Sequence, residues 1–251
     1  MPSPSTYSRI LQRLQTLLDL VLPRGCPGCD QPLGEDAPWC ETCTTALLAA
    51  TSTPYCPRCG AAAEPHLLDP AGCRLCRRES SALDGLARVG PYPTLIGAMV
   101  RRYKYQRQQR LDRPLGLLLA HAIAGRSWAG SIDALVPIPA SLRERLSYRF
   151  SPVALLASTV GKQLSLPVLP LIVVRGKRRQ QVGLPASQRA ANVRGIFHVA
   201  RHARVRGARL CLVDDVATSN ATLHAAARAL KRAGAAQVYG AVLAKAAMHN
   251  A

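Results

Sequence analysis

The chain has 251 residues, 48% of them hydrophobic, and a formal net charge of +19. The length suits one large domain or two smaller ones, and the apolar content is ordinary for a globular protein. The charge comes from 28 Arg and 5 Lys against 14 acidic residues; it points to anionic partners such as nucleic acid or phosphorylated metabolites and says little about fold. Aromatics make up only 4%, so the core must rest on Leu, Val, Ile and Ala. No run approaches the roughly 18 uncharged apolar residues of a membrane span. Gln15 and Asp19 break the apolar stretch behind Arg9 and Arg13, which argues against a signal peptide, so a cytoplasmic location is expected.

Residues 6–22 carry Ile10, Leu14, Leu17, Leu18 and Val21 at helical spacing, which predicts an N-terminal packing helix within residues 1–22. Eight of the nine cysteines then fall into four Cys-x-x-Cys pairs: Cys26/Cys29, Cys40/Cys43, Cys56/Cys59 and Cys73/Cys76. The two-residue gap lets both thiolates of one tight turn reach a single ion, and the pairs are separated by 10, 12 and 13 residues. This is zinc-ribbon spacing. Two structural Zn²⁺ ions are expected in a domain over residues 23–80. The simplest assignment joins sequence neighbours, with Cys26, Cys29, Cys40 and Cys43 on one ion and Cys56, Cys59, Cys73 and Cys76 on the other. Interleaved pairing is the alternative. A disulfide framework would need an oxidising compartment. Each Cys₄ site would carry two net negative charges, which Arg24, Arg58, Arg74, Arg77 and Arg78 could offset; the alternative is that these arginines contact nucleic acid. Cys211 sits inside an apolar run and reads as a small core residue.

After a linker at residues 79–81 the pattern alternates. Leu83–Tyr92 reads as a strand and residues 94–105 as a helix with a basic last turn, Arg101, Arg102 and Lys104. A second helix is predicted over Pro114–Arg126, a buried strand over Ile132–Pro139, and a helix over 151–164. Short strands follow at Val168–Val174 and Phe197–Val199, then a strand at 208–213, a helix at 220–233 stopped by Gly234, and a last strand at Gln237–Leu243. The expected fold class for residues 81–251 is α/β, a mostly parallel sheet flanked by helices, behind a small N-terminal zinc-ribbon domain. His66, His121, His198, His202, His224 and His249 have no metal-ligand spacing and receive no role.

The most informative segment runs from Leu210 to Leu223. An apolar strand ends in Asp214 and Asp215, a hydroxyl-rich loop follows, and a helix begins. Open α/β sheets bind ligands beyond the carboxyl ends of their strands, and helix N-termini attract phosphate. Thr218, Ser219 and Thr222 can donate to phosphate oxygens; two carboxylates can accept from a sugar diol or reach Mg²⁺ through water. Taken singly, these residues describe a buried strand meeting solvent at an acidic turn. In this order they describe a ribose 5-phosphate cradle formed by Asp214, Asp215, Val216, Ala217, Thr218, Ser219, Asn220, Ala221 and Thr222.

This segment resembles the loop of type I phosphoribosyltransferases that binds 5-phosphoribosyl 1-diphosphate (PRPP), with Asn220 where the pattern has Gly. Asn is among the few other residues that visit the left-handed region at modest cost, and its side chain is expected close to the phosphate. Lys104-Tyr105, Val136–Pro139 and the Gln181, Leu184, Arg189, Asn192, Phe197 spacing, added to the doubled zinc knuckles, are similar to the ComF family, also called the ComF/GntX type. The resemblance covers nearly the whole chain. One segment departs from it: Tyr148-Arg-Phe-Ser-Pro152 stands where the family typically has Arg-Gly-Phe-Asn-Gln.

The resemblance implies PRPP and Mg²⁺ at the Asp214–Thr222 loop, with Lys104, Arg143 and Arg189 as candidates facing the pyrophosphate. It also implies a role in DNA uptake and natural transformation (competence) beside a helicase-like partner. Two readings follow. In one the chain is a PRPP-dependent phosphoribosyltransferase, a glycosyltransferase. In the other it is a non-catalytic, single-stranded nucleic-acid-binding zinc-ribbon protein on the same scaffold. Few aromatics are available for base stacking, so such binding would rest on backbone electrostatics.

Overall fold

Alternation along the strands builds the sheet. Leu210 and Leu212 face one side of their strand while Cys211 and Val213 face the other, and all four are buried. The computed structural model describes residues 25–33, 37–68, 72–74, 76, 81–139, 151–174, 195–201 and 203–247; the expected helix before residue 23 lies outside them. Strands β1 (Gly85–Pro91), β2 (Ala134–Pro137), β5 (Arg209–Ala217) and β6 (Gln237–Lys245) form a parallel sheet in the order β1-β6-β5-β2. β3 (Ile172–Val174) and β4 (Phe197–Val199) form a separate antiparallel pair.

Helices cover both faces, as the alternation of strands and helices predicts. On one face α2 (Leu95–Tyr105), α3 (Asp112–Ala124) and α4 (Pro152–Leu164) bury Met99, Tyr103, Leu115, Leu119, Leu156 and Val160 against Ala87, Leu135, Cys211, Val213 and Tyr239. On the other, α5 (Ala221–Arg232) lays Leu223, Ala226 and Leu230 on Leu86, Leu210, Leu212, Val238 and Val242. Local chemistry sets the helix starts. Thr94 caps α2 by accepting from Ile96 N–H, and Ser151 caps α4 by accepting from Ala154 N–H, with Pro152 in the first turn. The Ser151-Pro152 pair that departs from the family pattern is therefore a helix start.

Three elements differ from expectation. A helix, α1 (Glu41–Thr51), stands between the knuckles; Cys40 is its N-cap, its Sγ accepting from Cys43 N–H. The expected strand 168–174 is split. Val168 makes a single bridge to Leu135, Pro170 then interrupts the ladder, and only 172–174 form a strand. β5 does not stop at 213. Its pairing with β6 continues through Asp214↔Val242 and Val216↔Ala244 to Ala217↔Lys245, so the acidic pair lies within the strand's last turns of pleat.

Candidate functional site

The Cys-x-x-Cys turns that open the two cysteine tetrads, Cys26/Cys29 and Cys56/Cys59, have the same architecture. Cys26 N–H donates to Gln31 O, and Asp30 N–H to Cys26 O; Cys56 N–H donates to Ala61 O, and Gly60 N–H to Cys56 O. The fifth residue of each turn, Asp30 or Gly60, is left-handed, with φ of 69° and 75°. These turns bring the cysteines into two tetrads of sequence neighbours, Cys26/Cys29/Cys40/Cys43 and Cys56/Cys59/Cys73/Cys76, whose sulfurs lie within 4.8 Å of one another. The sulfurs fit zinc. A tetrahedral ion with Zn–S near 2.3 Å separates its ligands by about 3.8 Å, and the contacts Cys29–Cys40, Cys56–Cys76 and Cys59–Cys73 measure 3.6, 3.7 and 3.6 Å. Such spacing is far from a disulfide bond, and all the cysteines are free. Cys56 is held down to about 4, chiefly by the hydrogen bond from Cys59, so the second tetrad already favours a thiolate. Cys211 is fully buried in β5, as expected of a core residue.

At the carboxyl end of β5 the acidic pair is fixed by its own backbone. Asp214 Oδ1 accepts from Asp215 N–H at 2.9 Å, and Asp215 Oδ1 accepts from Val216 N–H at 2.7 Å. The other oxygen of Asp215 meets Lys104 Nζ at 2.6 Å. Asp215 is 4% exposed, so this ion pair is largely removed from water, while Asp214 remains half-buried beside it. Three residues, Thr218–Asn220, then turn the chain into α5. Asn220 takes φ 58° and ψ 8° and does not cap the helix with its side chain. The first N–H groups of a helix lack intrahelical acceptors, and here they stand beside Thr218, Ser219 and Thr222. Two carboxylates, three hydroxyls and a helix N-terminus thus share one edge of the sheet, suited to a sugar diol joined to a phosphate.

Asn220 ties the loop to the second knuckle. Its left-handed backbone is as anticipated, but its side chain is spent on the protein. Nδ2 donates to Cys59 O at 2.8 Å, and Oδ1 accepts from Lys245 Nζ at 3.0 Å. Lys245, the last residue of β6, also donates to Thr218 O. Burial lowers it to about 8. Beside this junction lies a cavity of about 430 Å³. Cys59, Ala61 and Cys76 wall it on the knuckle side, and Ser219, His224 and Lys245 on the sheet side.

The first knuckle is fastened to the same site by another route. Arg102 on α2 donates to Pro27 O (3.1 Å) and Gly28 O (2.7 Å), and it pairs with Asp30, which also meets Arg110. Arg102 is two residues from Lys104, so the helix that delivers the cation to Asp215 is itself clamped to a zinc knuckle.

Comparison with known proteins agrees with this geometry. Residues 17–78 match the double zinc ribbon domain and residues 151–250 the phosphoribosyl transferase domain. The chain is thus similar to a double zinc ribbon joined to a phosphoribosyltransferase domain, and to Competence protein F, ComFC and YhgH. Competence protein F of Haemophilus influenzae is 27% identical over 192 residues, covering 74% of this chain and 82% of that protein. The DNA utilization protein YhgH of Escherichia coli (strain K12) is 27% identical over 226 residues, covering 87% and 96%. Competence protein ComFC of Bacillus subtilis is 24% identical over 229 residues, covering 84% and 90%.

The structure brings together Lys104 and the whole Asp214–Thr222 segment. Arg143 and Arg189 lie outside the described residues, as do Gln181, Leu184 and Asn192; Phe197 is a buried core residue at the start of β4. Sequence reasoning missed Arg88, Arg102 and Lys245. Arg88 is 3% exposed, donates to Gly60 O at 2.9 Å and lies over the Tyr55 ring. Only the basic last turn of one helix pointed towards Arg102, and nothing local pointed to the other two. Among the described residues no helix is long and apolar enough to cross a membrane.

Proposed function

We propose that this chain binds PRPP with Mg²⁺ at the Asp214–Thr222 loop and serves DNA uptake or DNA use. The observation that carries the ligand is the pair of backbone-oriented carboxylates, one buried against Lys104, at the uncapped N-terminus of α5. Asp214 and Asp215 would accept from the ribose hydroxyls, and Thr218–Thr222 would hold the 5-phosphate. Lys104 stands where it can follow charge from Asp215 to a pyrophosphate, with Arg143 and Arg189 as further candidates. Bound Mg²⁺ supplies neutralising charge to the pyrophosphate. A cleft that fixes both ends of the ribose and receives leaving-group charge is what phosphoribosyl transfer requires. The biological setting is supported by the names of the homologues, which are competence and DNA utilization proteins.

A second reading keeps the scaffold and dispenses with transfer, so that the chain holds single-stranded DNA for a helicase-like partner. The net charge of +19 favours it. Thermal unfolding separates the two. PRPP with Mg²⁺ should raise the melting temperature of the wild type, and combined Asp214→Ala and Asp215→Ala should abolish the rise while zinc content is retained. An equal rise in the double variant would place the ligand elsewhere.

A further inference from the structure

The second zinc knuckle and the phosphate loop meet through buried polar contacts. A zinc tetrathiolate carries two net negative charges, and two cations of the sheet are buried around it, Arg88 at 3% and Lys245 at 6% exposure. Both line the same cavity as Cys59 and Cys76. Their hydrogen-bond partners are carbonyl and amide oxygens: Gly60 O for Arg88, Thr218 O and Asn220 Oδ1 for Lys245. Leu86 N–H donates to Pro57 O at 2.7 Å, so the knuckle also closes the outer edge of β1. A Cβ at Gly60 would fall 2.5 Å from the Leu86 side chain, so the knuckle packs directly on β1. Asn220 completes the link from inside the loop by donating to Cys59 O.

We propose that Asn220 and Lys245 are positioning residues that make the Cys56/Cys59/Cys73/Cys76 site and the Thr218–Thr222 loop one coupled unit, so that zinc in the tetrad and phosphate in the loop are held cooperatively. This rests on the ligand reading above for its phosphate half and on the knuckle contacts alone for its zinc half. The physical reason is that the Asn220–Cys59 bond has one end on each site, and Lys245 fixes its loop end by holding Thr218 O and Asn220 Oδ1. Losing the ion frees the Cys59 carbonyl to move, and the loop at Asn220 loses the acceptor that anchors it to the knuckle. Coupling free energy is reciprocal, so if zinc tightens the loop on phosphate, phosphate must raise the affinity of the tetrad for zinc by the same factor, and slower release is the expected form of that gain.

The test is zinc release from the full-length, zinc-loaded chain to a zinc-selective chromogenic chelator, with and without PRPP and Mg²⁺, in wild type and Asn220→Gly. Glycine adopts φ near 60° freely, so this variant keeps the turn and removes only the two side-chain bonds. Without ligand, one of the two release phases should be faster in Asn220→Gly. With ligand, that phase should slow about fivefold or more in the wild type and not in the variant. Equal ligand-free rates in the two proteins overturn the proposal. So does calorimetrically detected PRPP binding that leaves wild-type zinc release unchanged. Absence of PRPP binding by calorimetry defeats the ligand reading instead, and the ligand-free comparison then decides the coupling alone.

Discussion

Among the described residues the buried polar side chains are Arg88, Asp215, Asn220, Thr222 and Lys245. Each is costly to bury without a partner, and all lie in the Asp214–Thr222 segment or between it and the second knuckle. Asp215 and Thr222 could be suspected from the sequence, because an acidic pair and a hydroxyl loop follow an apolar strand. The partners could not: Lys104 precedes Asp215 by more than a hundred residues, and Cys59 is 161 positions from Asn220. His224 faces the same junction, and its Nδ1 accepts from Ala82 N–H. Burial first, then Arg228 and Lys245, lower it from 6.5 to about 4. The unfolded chain therefore binds the extra proton first as pH falls, and stability drops between about 6.5 and 4, by up to about 3 kcal/mol below both values. His224→Gln should lose less stability over that window in denaturant titrations. Thiolate protonation acts on both proteins alike, so parallel pH curves would show that His224 does not titrate this way.

The same contrast holds for the elements. Helices α2 and α4 begin, and α5 ends, within two residues of the expected bounds because Thr94, Ser151 and Gly234 are local signals. The tail of β5 was not legible. Asp214 and Asp215 interrupt an apolar run, yet the strand continues because β6 offers partners as far as Lys245. Helix α1 was missed because Cys40 and Cys43 read as a turn alone, although Cys40 also serves as a cap. The position of α2 matters most to the site, since it carries Arg102 to the first knuckle and Lys104 to Asp215. Gly97 lets it sit there: a Cβ at this position would fall 1.9 Å from Tyr92 O. Gly97→Ala should therefore cost about 1–3 kcal/mol despite its better helix propensity. It should also weaken PRPP binding through displacement of Lys104. A Gly97→Ala chain as stable as the wild type would mean that α2 has room to shift.

At the scale of the whole molecule, the cysteine spacing made the zinc-ribbon domain legible and the strand–helix alternation made the parallel sheet legible. How tightly the two are joined was not. Arg88, Arg102, Asn220 and Lys245 each take hold of a knuckle carbonyl or sit beside a cysteine, and none of these ties has a local sequence signature. Metal analysis should return about two zinc ions per chain, and stripping them should lower stability of the phosphoribosyltransferase domain as well as of the ribbon. A metal-free protein with unchanged unfolding would contradict both statements. If the +19 charge serves DNA, affinity for single-stranded DNA should fall steeply between low and physiological salt; no binding at low salt would remove the nucleic-acid reading. The central claim is that the loop after β5 is a ribose-phosphate site. Calorimetric titration of the zinc-loaded chain with PRPP and Mg²⁺ tests it most directly. Saturable binding at one site per chain, lost in combined Asp214→Ala and Asp215→Ala, is the predicted result, and no heat of binding at millimolar PRPP would contradict it.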